Sequence, residues 1–317
     1  MVDGNIFRDL KQSLDPKSVN FNQLRRKISG DFFDDSFNLA RYATDASIYQ
    51  MMPHAVVVPK TFADLEACVE FARTNDIALL PRGGGTSQCG QTVNNAIVLD
   101  YTKYLNKVTN LDVQNHRCTV EPGIVLDDLN RQLKPHGLWF PVDVSTSSRA
   151  TIGGMTANNS CGGRSIRYGI MRDNVISISA LLADGSTANF GKLGNNNKLP
   201  EGRLGEIQSR LLSIGLENKS EILSKFPKVL RRVGGYNIDS LIPDGMALRP
   251  GGKPGDGINL AHLLVGSEGT LAVFKTITLK LSPLPGRKVM GLCHFPTFYQ
   301  AMDTAQHLVK LGPVAVE

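Results

Sequence analysis

PRGGGTSQCGQT, residues 81–92, lies between two apolar strand patterns, IALLP (77–81) and AIVLD (96–100). Three consecutive glycines let the backbone turn successive amide N–H groups inward, forming the concave nest that binds a phosphate. Thr86 and Ser87 add hydroxyl donors and Arg82 adds positive charge. Each N–H bonded to an anionic oxygen contributes roughly 1.5–3 kcal/mol, so a handful of them hold a pyrophosphate without a metal. A tight surface turn is the plain alternative. A Cβ at Gly84 is expected to fill the space of the phosphate and to penalise a positive φ. Two familiar nucleotide motifs fail here. GTSQCGQT (85–92) has Walker A spacing with Gln91 in place of the lysine, so NTP hydrolysis is not supported. The dinucleotide pattern GxGxxG fails because Gln88 stands at its last glycine.

Outward from this loop the chain alternates strands and helices. Upstream come a strand AVVVP from Ala55 and a helix over TFADLEACVEFARTND, started by Thr61 and Asp64 as a capping box. Leu65, Cys68, Val69, Phe71 and Ala72 give that helix one apolar face. Downstream, the helix VLDDLNRQLKPHG leads to a second small-residue segment, TIGGMTANNSCGG (151–163), and to the strand VISISALLADG. There Gly153 and Gly154 permit close backbone approach, and Ala157 to Ser160 offer a thin surface with polar groups for a flat ring; a tightly packed helix start is the alternative. Residues 191–205 read as a surface loop, and the next helix is EIQSRLLSIGLENKSEIL. A Pro/Gly-rich excursion (243–257) precedes a third small-residue site, VGSEGTL (265–271), and the long strand TLAVFKTITLKLS. Ser267 directly follows Gly266, so no GxSxG nucleophile elbow is present. A new strand, VMGLCHF, and a helix, PTFYQAMDTAQHLVKLG, close the sequence.

Composition narrows the classes. The 317 residues suggest two packed units, and 31 glycines exceed the roughly 22 expected at usual frequencies. No run reaches the roughly 18–20 apolar residues of a membrane helix, and no signal-peptide h-region is seen, so a cytoplasmic location is expected. The five cysteines lack any CxxC and read as reduced thiols. A net charge of +6 permits an anionic ligand, but no basic strand carries interleaved aromatics, so nucleic acid is not an expected partner. The six histidines form no HxH or HxxxH pair, and no metal site is expected. Lys225, Lys228, Arg231 and Arg232 form a basic run, read as a solvated face or as the source of a carboxylate clamp.

The ordered set RGGGTS with a following GQ (82–91), TIGGxxAxN (151–159), RYG (167–169), GGYN (234–237) and GSEGTL (266–271) resembles the FAD-linked oxidases of the vanillyl-alcohol oxidase / p-cresol methylhydroxylase superfamily. Within it the chain is most similar to the D-lactate, glycolate and D-2-hydroxyglutarate dehydrogenases, including members fused to an iron–sulfur domain. The resemblance covers about residues 40–317 and implies an α+β, PCMH-type FAD-binding fold. Its division would be a helical lead-in (1–40), FAD-binding subdomains 41–112 and 113–285 with FAD between them, and the start of a cap domain (286–317).

The resemblance further implies that Arg82, Gly83, Gly84, Gly85, Thr86, Ser87, Gly90 and Gln91 wrap the FAD pyrophosphate and the adjoining ribityl chain. Pro141, Ser145, Thr146, Gly153, Gly154, Thr156 and Asn158 would line the flavin path, with Glu268 and Gly269 near the adenosine end and Tyr168 and Gly169 closing the pocket. Met155, Ser160 and Cys161 depart from the family's usual residues. Thr86 stands where covalent members carry a flavin-linking histidine, which implies dissociable FAD. The expected reaction is hydride transfer from a D-2-hydroxy acid to flavin, with electrons passed to an unnamed acceptor, a peripheral inner-membrane one included. Arg231, Tyr236 and His262 are the catalytic candidates here. The family places its metal ligands and base beyond residue 317, and an iron–sulfur cluster would require a further C-terminal domain. An NAD(P)H-dependent reductase of the same fold and a non-catalytic FAD-binding module are the alternatives.

Overall fold

A computed structural model describes residues 19–193, 199–243 and 257–317. The first 18 residues of the expected helical lead-in (1–40) and most of the excursion at 243–257 lie outside these residues. Two sheets organise the rest. The first has four strands, β1 (Asp31–Phe33), β2 (Ala55–Val58), β3 (Leu79–Arg82) and β4 (Ile97–Asp100), in the order β1-β2-β4-β3. β2, β4 and β3 run parallel, and β1 pairs antiparallel with β2. β2 and β4 are buried at every position, which explains why they are apolar throughout but for Asp100 at the end of β4.

The helix Phe62–Asn75 makes the crossover from β2 to β3. It begins as the sequence predicts: Asp64 N–H donates to Thr61 Oγ1 at 3.3 Å, and Thr61 N–H donates back to Asp64 Oδ2 at 3.2 Å. Asp64 does more than cap. Its buried carboxylate also accepts from Lys60 N–H (2.7 Å), from Ser29 N–H (2.9 Å) and from the Ser29 hydroxyl. The described residues before residue 40 (19–39) are thereby fastened to the first unit, and Leu24 is fully buried in its core.

The second sheet is antiparallel, with β5 (Val108–Asp112), β6 (Arg117–Val120), β8 (Val175–Leu181), β9 (Thr187–Phe190) and β10 (Val273–Lys280) in the order β5-β6-β10-β8-β9. A short pair, β7 (Leu138–Trp139) with β11 (Ser282–Pro283), lies outside it. The helix Leu126–Leu133 buries Leu126, Leu129 and Leu133 in the second core, and Asn130 Oδ1 accepts from Phe140 N–H at 2.7 Å. The two units share packing. Leu181 and Val273, from the second sheet, sit in the first sheet's core, and Tyr101 donates its hydroxyl to the Phe274 carbonyl at 3.2 Å.

Three expectations need correction. The helix expected as one piece from Glu206 is divided into Arg203–Glu217 and Lys219–Lys225, because Asn218 leaves helical geometry at φ −105°, ψ 11°. The turn after Leu181 is a hairpin that adds β9, a strand the sequence reading left out. VMGLCHF forms no strand, since no neighbouring segment among the described residues offers it a ladder. Val289, Met290 and Leu292 are exposed there, and the helix Phe298–Leu308 that follows buries none of its residues.

Candidate functional site

The glycine loop leaves the end of β3 and runs along the helix Ile152–Asn158 of the second unit. Thr151 caps that helix, its Oγ1 accepting from Gly154 N–H at 3.2 Å. Close approach explains two of the three glycines. A Cβ at Gly83 would stand 2.1 Å from Thr151 Oγ1, and one at Gly84 would stand 2.3 Å from the Arg149 carbonyl oxygen. Of the three, only Gly85 has a positive φ, +64°. The expected reason for glycine at position 84 is therefore corrected: packing against a backbone carbonyl demands it, not its dihedral angle.

Between the two walls lies a cleft of about 400 Å3. The loop contributes Arg82, Gly83, Gly84, Gly85, Thr86, Ser87 and Gln91. The facing wall contributes Ser145, Thr146, Gly153, Gly154 and Asn158, and the third small-residue site contributes Glu268 and Gly269. Among the remaining candidates, Thr156 is buried with its hydroxyl donated to Ile152 O at 2.8 Å, and Pro141 is buried. Gly90 backs onto Tyr49. Tyr168 meets Trp139 edge-on at 5.4 Å, and Gly169 ends the helix Ser165–Tyr168. None of these five lines the cleft.

Glu268 joins the three segments. Its Oε1 accepts from Asn158 Nδ2 at 2.9 Å, and Gln91 also hydrogen-bonds to its carboxylate. The Ser87 hydroxyl donates to Gln91 Oε1, and the Ser160 hydroxyl to Asn158 Oδ1 at 3.1 Å. Burial pushes the Glu268 carboxyl above its ordinary range, against the opposing pull of the two side-chain amides. Its backbone adopts φ +50°, a left-handed conformation that costs a non-glycine residue of order 1 kcal/mol or more.

Behind the far wall sits a buried network that the sequence did not reveal. Asp239 receives Arg172 Nη1 at 2.9 Å and Arg232 Nη2 at 2.6 Å, and Asn237 Oδ1 accepts from both arginines. Arg172 N–H donates to Asn159 Oδ1 at 3.0 Å, which fixes the left-handed residue ending the helix that carries Asn158. The basic run is thus divided: Lys225 pairs with Glu221 on the surface, and Arg232 turns inward. The spacing of Arg172, Arg232 and Asp239 follows no local period, so only their meeting in three dimensions shows them.

The catalytic candidates are not gathered. Arg231 donates to the Gly162 carbonyl at 3.2 Å, the Tyr236 hydroxyl pairs with Thr270 Oγ1 at 2.7 Å, and His262 is buried. None of them lines the cleft; from that stretch it is Val233 that does. Other lining residues outside the sequence reading are Tyr101, Pro122, Ala272 and Phe274, which give the cleft apolar walls. The donor set suits an anionic dinucleotide: loop amides and hydroxyls at one part of the cleft, Asn158 and the Glu268 carboxylate at another, and apolar surface between.

Comparison with known proteins agrees with that chemistry. Residues 53–191 match the FAD binding domain family. The chain is 34% identical over 302 residues to a D-2-hydroxyglutarate dehydrogenase of Pantoea ananatis, covering 92% of this chain and 28% of that one. It is 28% identical to the glycolate oxidase subunit GlcD of Bacillus subtilis, over 92% of this chain and 51% of that one. The chain thus spans about a quarter to a half of the length of these relatives. An alkyldihydroxyacetonephosphate synthase superposes with a TM-score of 0.64 over 94% of this chain and 47% of its own, at 18% identity, which shows a shared fold. No helix among the described residues is long and apolar enough to cross a membrane. The chain therefore contains an FAD binding domain over residues 53–191, takes the α+β, PCMH-type FAD-binding fold, and has D-2-hydroxyglutarate dehydrogenases among the proteins it is similar to.

Proposed function

We propose that this protein holds FAD, without a covalent bond, in the cleft between its two units and serves the oxidation of a D-2-hydroxy acid of the lactate, glycolate or 2-hydroxyglutarate class. One observation carries the reading: three small-residue segments, far apart in sequence, converge on a single cleft whose donors suit a pyrophosphate. The loop amides at 83–87 with the Thr86 and Ser87 hydroxyls hold the pyrophosphate, as anions are held wherever several N–H groups converge. Ser145 and Thr146 orient the ribityl and ring portions from the facing wall, and Asn158, bonded to Glu268, serves the same part of the cleft as that residue. Glu268, an acceptor when ionised, suits the hydroxyl-bearing adenosine end rather than a phosphate. When bound, FAD supplies a two-electron acceptor, and the protein's part is to orient it and exclude water. The similarity to D-2-hydroxyglutarate dehydrogenases favours the hydroxy-acid reading over the reductase one.

Absorbance of the purified protein tests the cofactor. A flavin spectrum, native or after added FAD, is expected, and a protein that stays colourless after reconstitution overturns the reading. Anaerobic mixing then tests the reaction. Bleaching by D-2-hydroxyglutarate, D-lactate or glycolate assigns the substrate. Bleaching by NADPH but by none of the acids assigns a reductase, and no bleaching by either leaves a cofactor-binding module.

A further inference from the structure

Arg82 stands at the end of β3, one residue before the glycines, where a cation beside a phosphate nest invites the role of a direct clamp. Its guanidinium is instead engaged with backbone carbonyls. Nη1 donates to the carbonyls of Tyr42 (2.9 Å) and Thr92 (3.0 Å), Nη2 donates to that of Thr44 (2.8 Å), and the guanidinium carbon lies 5.3 Å from the centre of the Tyr42 ring. Thr92 ends the loop that Arg82 begins, so one side chain ties the loop's two feet together. The chain curls around this group. A Cβ at Gly85 would stand 2.9 Å from Nη2, and the left-handed φ of Gly85 carries the backbone past it. The segment 42–46 acts as a backing plate: Ala46 N–H donates to the Gly85 carbonyl at 3.0 Å, and Asp45 Oδ2 accepts from Thr92 Oγ1 at 2.8 Å.

A glycine-rich loop loses more backbone freedom on ordering than any other sequence, and a ligand that had to order it would bind correspondingly more weakly. A side chain that closes the loop in advance removes that cost. The carbonyl dipoles converging on the guanidinium also occupy three of its five donors and offset its charge. We propose that Arg82 is a positioning residue, which holds residues 83–91 in their binding shape before any cofactor arrives and acts on the pyrophosphate only through the loop's own amides. The inference rests on the reading that this loop binds the FAD pyrophosphate.

Hydrogen exchange on the flavin-free protein, compared with Arg82→Met and Arg82→Lys, supplies the test. Both variants are expected to accelerate exchange at 42–46 and 83–92 by on the order of 10-fold, with β8 and β10 unchanged. Both are expected to raise the dissociation constant of FAD by on the order of 100-fold, with its dependence on salt unaltered. The lysine variant keeps the charge but loses the planar fork, so near-native binding by Arg82→Lys overturns the proposal. Unchanged loop exchange with weaker binding and a flatter salt dependence overturns it too, in favour of a direct clamp. If Arg82→Met fails to fold, the lysine variant decides. A native protein that binds no FAD would refute the functional reading, while the flavin-free exchange would still report on Arg82.

Discussion

At Gly84, demand for glycine comes from a neighbour rather than from the chain's own dihedral. A valine there would drive its Cβ into the Arg149 carbonyl, which belongs to the opposite wall and cannot yield without moving the helix Ile152–Asn158. Gly84→Val is therefore expected to separate the walls and to lose flavin by on the order of 10-fold or more, read as the flavin-to-protein absorbance ratio after gel filtration. Full retention would show that the walls can part without consequence for the cofactor. Glu268 makes the opposite demonstration, a side chain held at some cost. Burial raises its pKa above the ordinary 4.5, so the folded protein binds this proton more tightly than the unfolded chain does. Stability attributable to this group is greatest at acid pH and falls as pH rises through its folded pKa. Glu268→Gln, which keeps an acceptor for Asn158 and Gln91, is expected to raise the melting temperature of the flavin-free protein at pH 7.5 and to leave it unchanged at pH 4. An equal gain at both would assign the effect to packing.

The helix Phe62–Asn75 shows how much of one element the sequence disclosed. Thr61 with Asp64 three residues later announced the start, and the apolar face was readable from Leu65 to Ala72, because both signals are local. The bonds from Ser29 to Asp64 were not readable, since Ser29 lies 35 residues away. Thr61→Ala is expected to cost about 1 kcal/mol in urea unfolding, the usual loss of a cap. Asp64→Ala should cost about 3 kcal/mol, because it leaves several backbone donors of two segments unmet. Equal losses would mean that Asp64 acts as a cap alone. Burial would raise the Asp64 pKa, but the N–H donors of Ser29, Lys60 and Thr61 and the Ser29 hydroxyl bring it below the ordinary 3.8. Its contribution is thus present at neutral pH and lost as pH falls through the folded value, so the penalty of Asp64→Asn should shrink in acid. The antiparallel sheet was less legible. TLAVFKTITLKLS announced a strand, but its neighbours β6 and β8 are fixed by contacts more than 90 residues away, and β9 was hidden in a turn of ordinary composition.

For the whole molecule, the convergence of the three small-residue segments could be anticipated only from their resemblance to a family, because each alone also fits a turn or a helix start. The arrangement of Arg172, Arg232 and Asp239 had no such precedent in the sequence and came from the fold. Thr86 in place of a flavin-linking histidine gives a prediction for the intact protein: precipitation with acid should leave the yellow colour in the supernatant. Colour in the pellet would reveal a covalent link elsewhere. The core shared by the two sheets carries a different implication, one for synthesis. Tyr101 and Phe274, which meet through a hydrogen bond, are 173 residues apart, and Val273 completes a core that begins at Leu24. At roughly 5–20 residues per second the ribosome needs about 10–35 s to travel from one to the other. Nascent chains stalled near residue 200 should therefore be cut readily by protease within residues 19–105, and chains stalled well past Lys280 should not. The cell must shield an unfinished N-terminal sheet until Val273 and Phe274 have left the ribosome.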